Sequence, residues 1–554
     1  MLQHDLTRMS ENRELPAGLG IIVAAMEHLL PDIEICERAR QSRDARFDGR
    51  FFVAVVTTGI FCRPVCPART PAKENIRFYP TVAAALEGGY RPCLRCRPER
   101  APLGSTRGSR SPVVVAALQR IDQGGLDTMT VAAIGQELGI SARQLTRLFI
   151  AEVGSTPGAV ARARRVTLAR QLIDDSELNF TQIAVFAGFG SLRRFNEAVR
   201  ATYGRAPRDL RAAPQTVGAL AIAPGARNPP AGVRLRLALR PPYNIDWVRT
   251  YFQRRAIPGV EDCVGGVYRR TLDEGELRLT FAERHVDVLI DAGGGNFHAP
   301  RGAASSGAPL GDILLRVQRM LDLGADGATI DAHLAEDALL ASVIAAHAGL
   351  RGPGCWDPFE LAVRAVLGQQ VSVAGATTLA GRLVAKYGVE LAPGRYRFPS
   401  AHALAKENCA GIGMPGRRGE ALRLLAQAVD AGKLRFDQQD AAALAAQLLA
   451  IPGIGPWTAQ YIALRALGDP DAFPAEDIVL RKAIVPTQTL SARALRERAE
   501  RWRPWRAYAV MYLWKRSSLL KDELRSESSS ELKSGQQHRN RPPKNASAGA
   551  GAST

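Results

Sequence analysis

Four cysteines in a short stretch of the chain have the types and the spacing of a metal site. Cys62 and Cys66 form a C-x3-C pair, and after 26 intervening residues Cys93 and Cys96 form a C-x2-C pair. Two close thiol pairs separated by such a loop are typical of a tetrahedral zinc site. Each ligand would bind as a thiolate, so the site would carry a formal charge of about −2. The spacing therefore predicts one zinc ion held by these four residues.

A second group of chemically suited residues lies far downstream. The phrase IPGIGPWTA over 451–459 places Gly453 and Gly455 in a tight turn between two expected helices. Backbone N–H groups at such a turn and helix N-terminus bind a phosphate without reading a base. The phrase FPAED further along supplies two neighbouring acids, Glu476 and Asp477. Chemistry alone does not distinguish between these two carboxylates.

Composition favours a nucleic-acid partner. The 554 residues include 73 Lys and Arg against 54 Asp and Glu, which gives a formal net charge of +19. A strongly basic chain favours a polyanion over an acidic small molecule. No apolar run reaches the roughly 18 residues that span a bilayer, and the opening segment does not have the pattern of a secretory signal. We therefore expect a cytoplasmic protein with no membrane partner.

The elements that must position these residues follow from periodicity. The run FFVAVVTTG and the turns around the cysteines predict a small α/β zinc module. Further along, a helix, a Gly-containing turn, a Ser N-cap and an Arg-bearing helix occur twice, with the caps at Ser141 and Ser191. This order predicts two helix-turn-helix units. Alternation in VRLRLALR then predicts strands, and helices follow from about 313 to near Trp514.

The predicted fold class is therefore multidomain α+β, with a chain of this length divided among several cores. It combines a small α/β zinc domain, an all-α double helix-turn-helix domain, a β-rich subdomain and an all-α helical core. The expected divisions are a leader over 1–35, the zinc domain over 36–100, a linker over 101–112, the helix-turn-helix domain over 113–212, a linker over 213–230, the β-rich subdomain over 231–312, the helical core over 313–516 and a disordered tail over 517–554.

The cysteine-bearing stretch resembles the N-terminal domain of the Ada family of DNA alkylation repair proteins. The resemblance covers FDGRFFVAVVTTGIFCRPVCPART, KENIRFYP and GYRPCLRCRPER. It implies that Cys62 accepts a methyl group from a methyl phosphotriester in DNA. Methylation would remove one negative charge beside the phosphates, and DNA binding should then strengthen. A purely structural zinc ion is the alternative.

The helical block, closing with FNEAVRATYGRAPRDLR, resembles the DNA-binding domain of AraC-type regulators. In that family one helix of each unit enters successive major grooves. The resemblance therefore implies base or phosphate contacts from the side chains of the two helices that start at Ser141 and Ser191. The candidates are Arg143, Gln144, Arg147, Arg193, Arg194 and Asn196.

The remainder resembles the AlkA type of 3-methyladenine DNA glycosylase, a helix-hairpin-helix enzyme. The phrases RLRLALRPPYNIDWV, GPGCWDPFELAVRAVLGQQVSVAGA, FPAEDIVLRK and RWRPWRAYAVMYLW carry it in order. The resemblance implies that Asp477 is the catalytic carboxylate. It also implies that Gln370 occupies the position of the residue that wedges into the duplex, where the family has a Leu. The implied pocket aromatics are Trp457, Tyr461 and Trp505, with Trp247 and Tyr251 as weaker candidates.

Three absences narrow the expected chemistry. Relatives that nick the strand carry a Lys just after the hairpin, where this chain has Trp457, so we expect a monofunctional enzyme. No cysteine follows Cys409, so the C-terminal iron–sulfur cluster of some relatives is not expected. No cysteine lies in a Pro-Cys-His-Arg phrase, so we expect no O6-methylguanine methyltransferase activity.

The sequence thus predicts a fusion for alkylation repair and adaptive-response regulation. It would release alkylated bases such as 3-methyladenine, with zinc as its metal and Cys62 as methyl acceptor. Its expected partners are double-stranded, alkylated and promoter DNA, together with RNA polymerase, and the expected state is a monomer. One alternative is a transcriptional regulator whose glycosylase block only binds DNA. Another is a repair enzyme whose first two modules only target it to DNA.

Overall fold

The computed structural model describes residues 27–101, 110–122, 124–176, 178–211, 232–273, 275–291, 310–409, 411–436, 441–485 and 488–521. The predicted multidomain α+β class is confirmed, since an α/β unit, a helical unit, a five-stranded sheet and a second helical unit follow one another. The expected linker over 213–230 lies wholly outside the described residues. The linker over 101–112 and the leader over 1–35 lie mostly outside them.

The zinc module is built on a four-stranded sheet. Its strands are β1 (Phe52–Val55), β2 (Ile60–Cys62), β3 (Ile76–Tyr79) and β4 (Arg91–Pro92), in the order β3-β1-β2-β4. The helices α1 (Ile33–Ser42) and α2 (Val82–Glu87) pack beside it, capped by Asp32 and Thr81. β2 and β4 run parallel, with Phe61 opposite Pro92. This register places Cys62 and Cys93 next to each other at the end of the two strands.

The second module consists of helices alone. They are α3 (Pro112–Asp122), α4 (Gly125–Thr128), α5 (Val131–Glu137), α6 (Ala142–Val153), α7 (Pro157–Asp175), α8 (Phe180–Phe186), α9 (Leu192–Tyr203) and α10 (Pro207–Leu210). Ser141 and Ser191 accept hydrogen bonds from the N–H groups of Gln144 and Arg194, so both predicted N-caps are present. The 19-residue helix α7 joins the two units.

The third block begins with a five-stranded antiparallel sheet. The strands β5 (Gly232–Ala238), β6 (Glu261–Val264), β7 (Val267–Leu272), β8 (Gly275–Ala282) and β9 (His285–Asp291) lie in the order β5-β9-β8-β7-β6, with α11 (Ile245–Gln253) against them. Side chains of β5 and β9 alternate between buried and half-buried, as the period of two in the sequence predicts.

Helices dominate the rest of the chain. They are α12 (Leu310–Met320), α13 (Gly327–Leu334), α14 (Ala338–Ala346), α15 (Pro358–Leu367), α16 (Val373–Tyr387), α17 (Ala401–Ala405), α18 (Gly416–Asp430), α19 (Ala441–Leu449), α20 (Pro456–Leu467), α21 (Ile478–Ile484), α22 (Ala492–Ala499) and α23 over 506–521, with a hairpin of β10 (Val389–Ala392) and β11 (Arg395–Arg397). Short 3-10 turns lie at Glu27–Leu29, Ala45–Phe47, Lys73–Asn75, Pro98–Arg100 and Glu500–Trp502.

The end of α23 differs from the expected start of the tail. The sequence predicts disorder from 517, yet the helix runs to 521 and Ser517 is buried. Leu519 and Leu520 beyond the last tryptophan are half-buried, so the end of α23 still packs against the protein. The tail beyond 521 lies outside the described residues. No helix in the described part of the chain is long and apolar enough to cross a membrane.

The modules pack against one another. A single apolar core joins Leu172 and Phe195 of the helix-turn-helix unit to Val233 and Leu235 of the five-stranded sheet. A second contact joins the third block to the zinc module: Arg240, which follows β5, donates a hydrogen bond of 3.0 Å to the carbonyl oxygen of Asp48. The sequence suggests separate units on linkers, whereas the described residues form shared interfaces.

Candidate active site and zinc centre

The four predicted metal ligands come together. The Sγ atoms of Cys62, Cys66, Cys93 and Cys96 lie within 4.8 Å of one another, and this cluster is the metal-binding group found among the described residues. Four zinc–sulfur bonds of about 2.3 Å at tetrahedral angles require sulfurs roughly 4 Å apart. Four thiols with no other ligand type also match the metal's preference. The geometry and the donor set therefore both fit zinc.

The protonation of these cysteines is interdependent. Hydrogen bonds that the Cys62 thiol donates to the sulfurs of Cys66, Cys93 and Cys96, together with burial, raise the pKa of Cys62. The hydrogen bond with Cys62 lowers the pKa of Cys66 to about 7. Several neighbouring thiolates would repel each other in a partly buried site, so the loss of a proton from one cysteine makes the next loss harder. A cation is needed for all four to be thiolates at once.

Arg63 connects the cysteine cluster to the rest of its module. Its backbone N–H donates to the Sγ of Cys96 at 3.3 Å, and its guanidinium donates to the Cys96 carbonyl at 3.1 Å and to Asp48 at 2.8 Å. Cys62 is half-buried, whereas Cys96 is buried. Cys66 and Cys93 are half-buried as well, so the fixed arginine lies beside Cys96, the most buried of the four ligands.

The predicted DNA-contacting side chains lie on α6 and α9. All six are exposed, as a groove-facing surface requires. Within each helix the buried residues, such as Leu145 and Phe195, lie on the opposite face. On α9 Arg193 pairs with Glu197 at 2.9 Å, one turn away. Exposure and spacing are compatible with the predicted contacts, which stay predictions.

The helix-hairpin-helix turn, defined here as residues 450–455, lies between α19 and α20. Gly453 has a φ of 90°, and a Cβ there would come within 2.8 Å of the Cβ of Ala421. Only glycine satisfies both conditions. Gly455 is the N-cap of α20 and has no side chain to cap the first N–H groups. The N-terminus of α20 is therefore open to an anion, as the sequence predicts.

Asp477 is held at a helix start with both carboxylate oxygens engaged. It is the N-cap of α21, and its Oδ1 accepts hydrogen bonds from the N–H groups of Val479 at 2.7 Å and Leu480 at 3.2 Å. Its Oδ2 accepts one from Nε1 of Trp457 at 3.0 Å. The residue is 6% exposed. Glu476, by contrast, binds Arg496 at 2.7 Å on the surface, so the geometry favours Asp477 over its neighbour.

Asp477 lies in a cleft of about 1400 Å³ with the predicted aromatic residues Trp457 and Tyr461 and the wedge candidate Gln370. The rings of Trp457 and Tyr461 are stacked, with centroids 5.4 Å apart and planes 17° from parallel. Gln370 is exposed on the loop between α15 and α16 and has a φ of 56°. The structure thus brings these four predicted residues together, and the weaker candidates Trp247 and Tyr251 line the same cleft.

Trp505, which the sequence predicts for the pocket, is not among the residues that line this cleft. It packs instead against Tyr508, with ring centroids 6.0 Å apart. Trp514 lines the cleft and lies 6.4 Å from the ring of Tyr461. Trp505 directly precedes the first residue of α23, whereas Trp514 lies on the helix. The sequence contains both tryptophans in one resembling phrase, and only their positions relative to α23 separate them.

Arg465 and Tyr251 also line the cleft. Arg465, which the sequence did not single out, is buried on α20 and donates to the hydroxyl of Tyr461 at 2.9 Å and to that of Tyr251. Burial lowers its pKa to about 9. The hydroxyls of Tyr251 and Tyr461 lie 3.4 Å apart. Trp457, Tyr461 and Arg465 follow one another at intervals of four residues along α20. This i, i+4, i+8 spacing could have identified Arg465 from the sequence as a residue of the same helix face.

The choice between Trp514 and Trp505 as the pocket residue can be tested with a matched pair of variants. Trp514→Leu should reduce base release about tenfold or more, because an aromatic face beside a cationic base is lost. Trp505→Leu should leave the rate nearly unchanged. Single-turnover release from 7-methylguanine DNA measures both. Equal losses, or a loss confined to Trp505→Leu, would contradict the revised assignment.

The fold and the two sites define a class of protein: a helix-hairpin-helix DNA glycosylase joined to a zinc–thiolate module and a double helix-turn-helix. Residues 35–99 match the family described as the metal binding domain of Ada, residues 134–213 a helix-turn-helix domain, and residues 234–357 the AlkA N-terminal domain. These matches confirm the three predicted resemblances and the assignment of zinc.

Curated relatives place the chain more narrowly. A Mycobacterium tuberculosis protein named probable bifunctional transcriptional activator/DNA repair enzyme AlkA is 42% identical over 496 residues, which cover 87% of this chain and 96% of that protein. DNA-3-methyladenine glycosylase 2 of Escherichia coli is 34% identical over 284 residues, 50% of this chain and 94% of that protein. The Escherichia coli enzyme Ada is 35% identical over 170 residues, 31% of this chain and 46% of that protein. The chain belongs to the family of bifunctional transcriptional activator/DNA repair enzymes.

Proposed function

We propose that this DNA-binding protein hydrolyses the N-glycosyl bond of alkylated purines such as 3-methyladenine, with Asp477 as the catalytic carboxylate. The observation that carries the proposal is the position of Asp477. It is buried at the N-terminus of α21, hydrogen-bonded to Trp457, and lies in the same cleft as two stacked aromatic rings.

The chemistry asks little of the protein beyond positioning and charge. An alkylated purine carries positive charge, so when the bond from C1′ to the base nitrogen breaks, both electrons leave with a neutral base. The positive charge that develops on the sugar is stabilised by the carboxylate of Asp477 in a water-poor site. Water then adds to C1′ and loses its proton, with Asp477 placed to orient it. Three hydrogen bonds already fix the carboxylate, so little reorganisation is needed.

The cleft is suited to the flipped base. The target nucleotide must leave the stack before its glycosyl bond can be reached. The stacked rings of Trp457 and Tyr461, with Trp514 beside them, offer aromatic faces that attract a cationic base. Gly453 and Gly455 are placed to bind the phosphate backbone, and Gln370 to fill the gap in the duplex. The position just after the hairpin, where strand-nicking relatives carry a lysine, is Trp457, so we infer a monofunctional enzyme.

The test is the release of free base. Purified protein incubated with methylated duplex DNA should liberate 3-methyladenine or 7-methylguanine, detected by chromatography, and leave abasic but uncut DNA. Release of no base by the wild-type protein would leave the alternative, a transcriptional regulator whose glycosylase block only binds DNA.

We further propose that Cys62 is the methyl acceptor. Zinc bound to the four sulfurs would supply a thiolate at neutral pH. The Cys62 sulfur attacks the methyl carbon of a methyl phosphotriester, the carbon–oxygen bond breaks, and the phosphodiester leaves with the negative charge. Cys62, Cys66 and Cys93 are half-buried, so burial argues only against Cys96, and the choice of Cys62 rests on its match to the acceptor cysteine of the Ada family. The proposal also includes promoter binding by α6 and α9 and contact with RNA polymerase. It includes a monomeric state and the division into the modules named above.

Methyl transfer is expected at one cysteine only. After exposure to DNA that contains a methyl phosphotriester, peptide mass spectrometry should find one added methyl on Cys62 and none on the other seven cysteines. Cys62→Ser should take up no methyl, and Cys355→Ser, a change far from the cluster, should behave like the wild type. A methyl on Cys66, Cys93 or Cys96 would contradict the assignment, and an unmodified protein would leave a structural zinc site.

A further inference from the structure

The loop between α15 and α16 is tied to the helix-hairpin-helix turn through one side chain. The Nε2 of Gln369 donates hydrogen bonds to the carbonyl oxygen of Gly453 at 2.9 Å and to Oγ1 of Thr458 at 3.0 Å. The carbonyl oxygen of Gln369 accepts one from Arg418 of α18 at 2.7 Å. The next residue, Gln370, has a left-handed backbone and an exposed side chain. Gln369 is therefore anchored, while the side chain of its neighbour is exposed at the cleft.

The three contacts join the parts of the site that must act together. Gly453 belongs to the turn placed to bind a phosphate. Thr458 is 2% exposed and directly follows Trp457, whose Nε1 binds Asp477. Gln369 thus links the loop of the wedge candidate to the hairpin and to the helix that orients the catalytic carboxylate.

We propose that Gln369 is a positioning residue that fixes the Gln370 wedge relative to the helix-hairpin-helix turn. The inference rests on the proposed function, because a wedge has a purpose only if a base is flipped. A wedge inserted a few ångströms from its place would not support the gap that opens above the pocket. With the amide in place, phosphate binding and wedge insertion occur at a fixed separation.

A side-chain amide is well suited to this role. It offers two N–H donors to two acceptors on α20 and its preceding turn, whereas Leu of similar size offers none and Glu offers only acceptors. Gly453 is exposed, so water can satisfy its carbonyl oxygen after substitution. Loss of the amide should therefore alter the position of the loop more than the folding of the protein.

The test compares Gln369→Leu with the wild type on two substrates. Single-turnover release of 7-methylguanine should fall about tenfold when the lesion is paired with cytosine. The loss should shrink to about twofold when the lesion is mispaired with adenine, because an unpaired base leaves the stack more easily. Gln427→Leu is the matched control. Gln427 lies on α18, and its side chain donates to the Ala405 carbonyl oxygen at 3.2 Å. It should match the wild type on both substrates.

A second measurement does not require catalysis. In a duplex with a stable abasic analogue beside 2-aminopurine, binding of the wild-type protein should raise the fluorescence as the stack opens, and Gln369→Leu should raise it less. Gln369→Leu combined with Gln370→Ala should be no worse than Gln370→Ala alone. Wild-type rates for Gln369→Leu, equal losses on both substrates with unchanged fluorescence, or fully additive losses would overturn the proposal. Absence of base release by the wild type would instead count against the proposed function, and the fluorescence would still test Gln369.

Discussion

Asp477→Asn is expected to slow base release at least about a hundredfold, because a fixed negative charge beside the developing sugar cation is removed. Asn is also a good N-cap, so its side-chain oxygen can still accept from the N–H groups of Val479 and Leu480. The fold and DNA binding should therefore be preserved. Single-turnover release from methylated DNA, with DNA affinity measured in parallel, separates lost chemistry from lost binding.

Glu476→Gln provides the matched control for that experiment. It removes the same charge one residue earlier, from a side chain that pairs with Arg496 at the surface. Glu476 also lines the cleft, but its charge is offset by Arg496 and its side chain is partly exposed, so the rate should stay close to that of the wild-type protein. A large loss for Glu476→Gln with activity kept in Asp477→Asn would reverse the two assignments.

The sites that the sequence predicted well depend on short-range geometry. The cysteine pairs sit at fixed spacings on two strand ends, and the parallel register of β2 and β4 is enough to bring Cys62 and Cys93 together. In the same way, two glycines in a hairpin fix where α20 begins. A pattern of neighbouring residues therefore carried most of the information about the zinc centre and about the helix that bears Trp457.

The pocket and the module interfaces could not be predicted in this way. Trp505 and Trp514 occur in one phrase, and only the point at which α23 begins and its packing decide which of them lines the cleft. Arg240 and Asp48 are 192 positions apart, and charged residues in a basic chain are ordinarily solvated. Nothing in the local sequence indicates that the Arg240 side chain donates to the backbone of Asp48 inside the protein. Long-range packing, not local spacing, set these contacts.

Arg270→Ala should destabilise the glycosylase block by about 3–5 kcal/mol, since one partner of a buried ion-pair network is removed. Arg270, on β7, binds Glu360 of α15 and, at 3.2 Å, Glu261 of β6, and Arg364 donates to Glu261 at 2.9 Å. Without Arg270 the buried carboxylate of Glu360 loses its close guanidinium partner. Urea unfolding followed by tryptophan fluorescence measures the change, and Trp356 reports locally because Arg270 lies 5.0 Å from the centre of its ring.

Arg269→Ala, one residue earlier on the same strand, is the control for this network. Its guanidinium is 36% exposed and lies 3.7 Å from Asp262, so its loss should cost at most about 1 kcal/mol. Arg270→Lys keeps the charge but not the two-pronged geometry, and should fall between the two. Equal destabilisation by Arg269→Ala and Arg270→Ala would mean that the buried ion pairs contribute no more to stability than a surface pair. Apolar packing would then be what holds the sheet and α15 together.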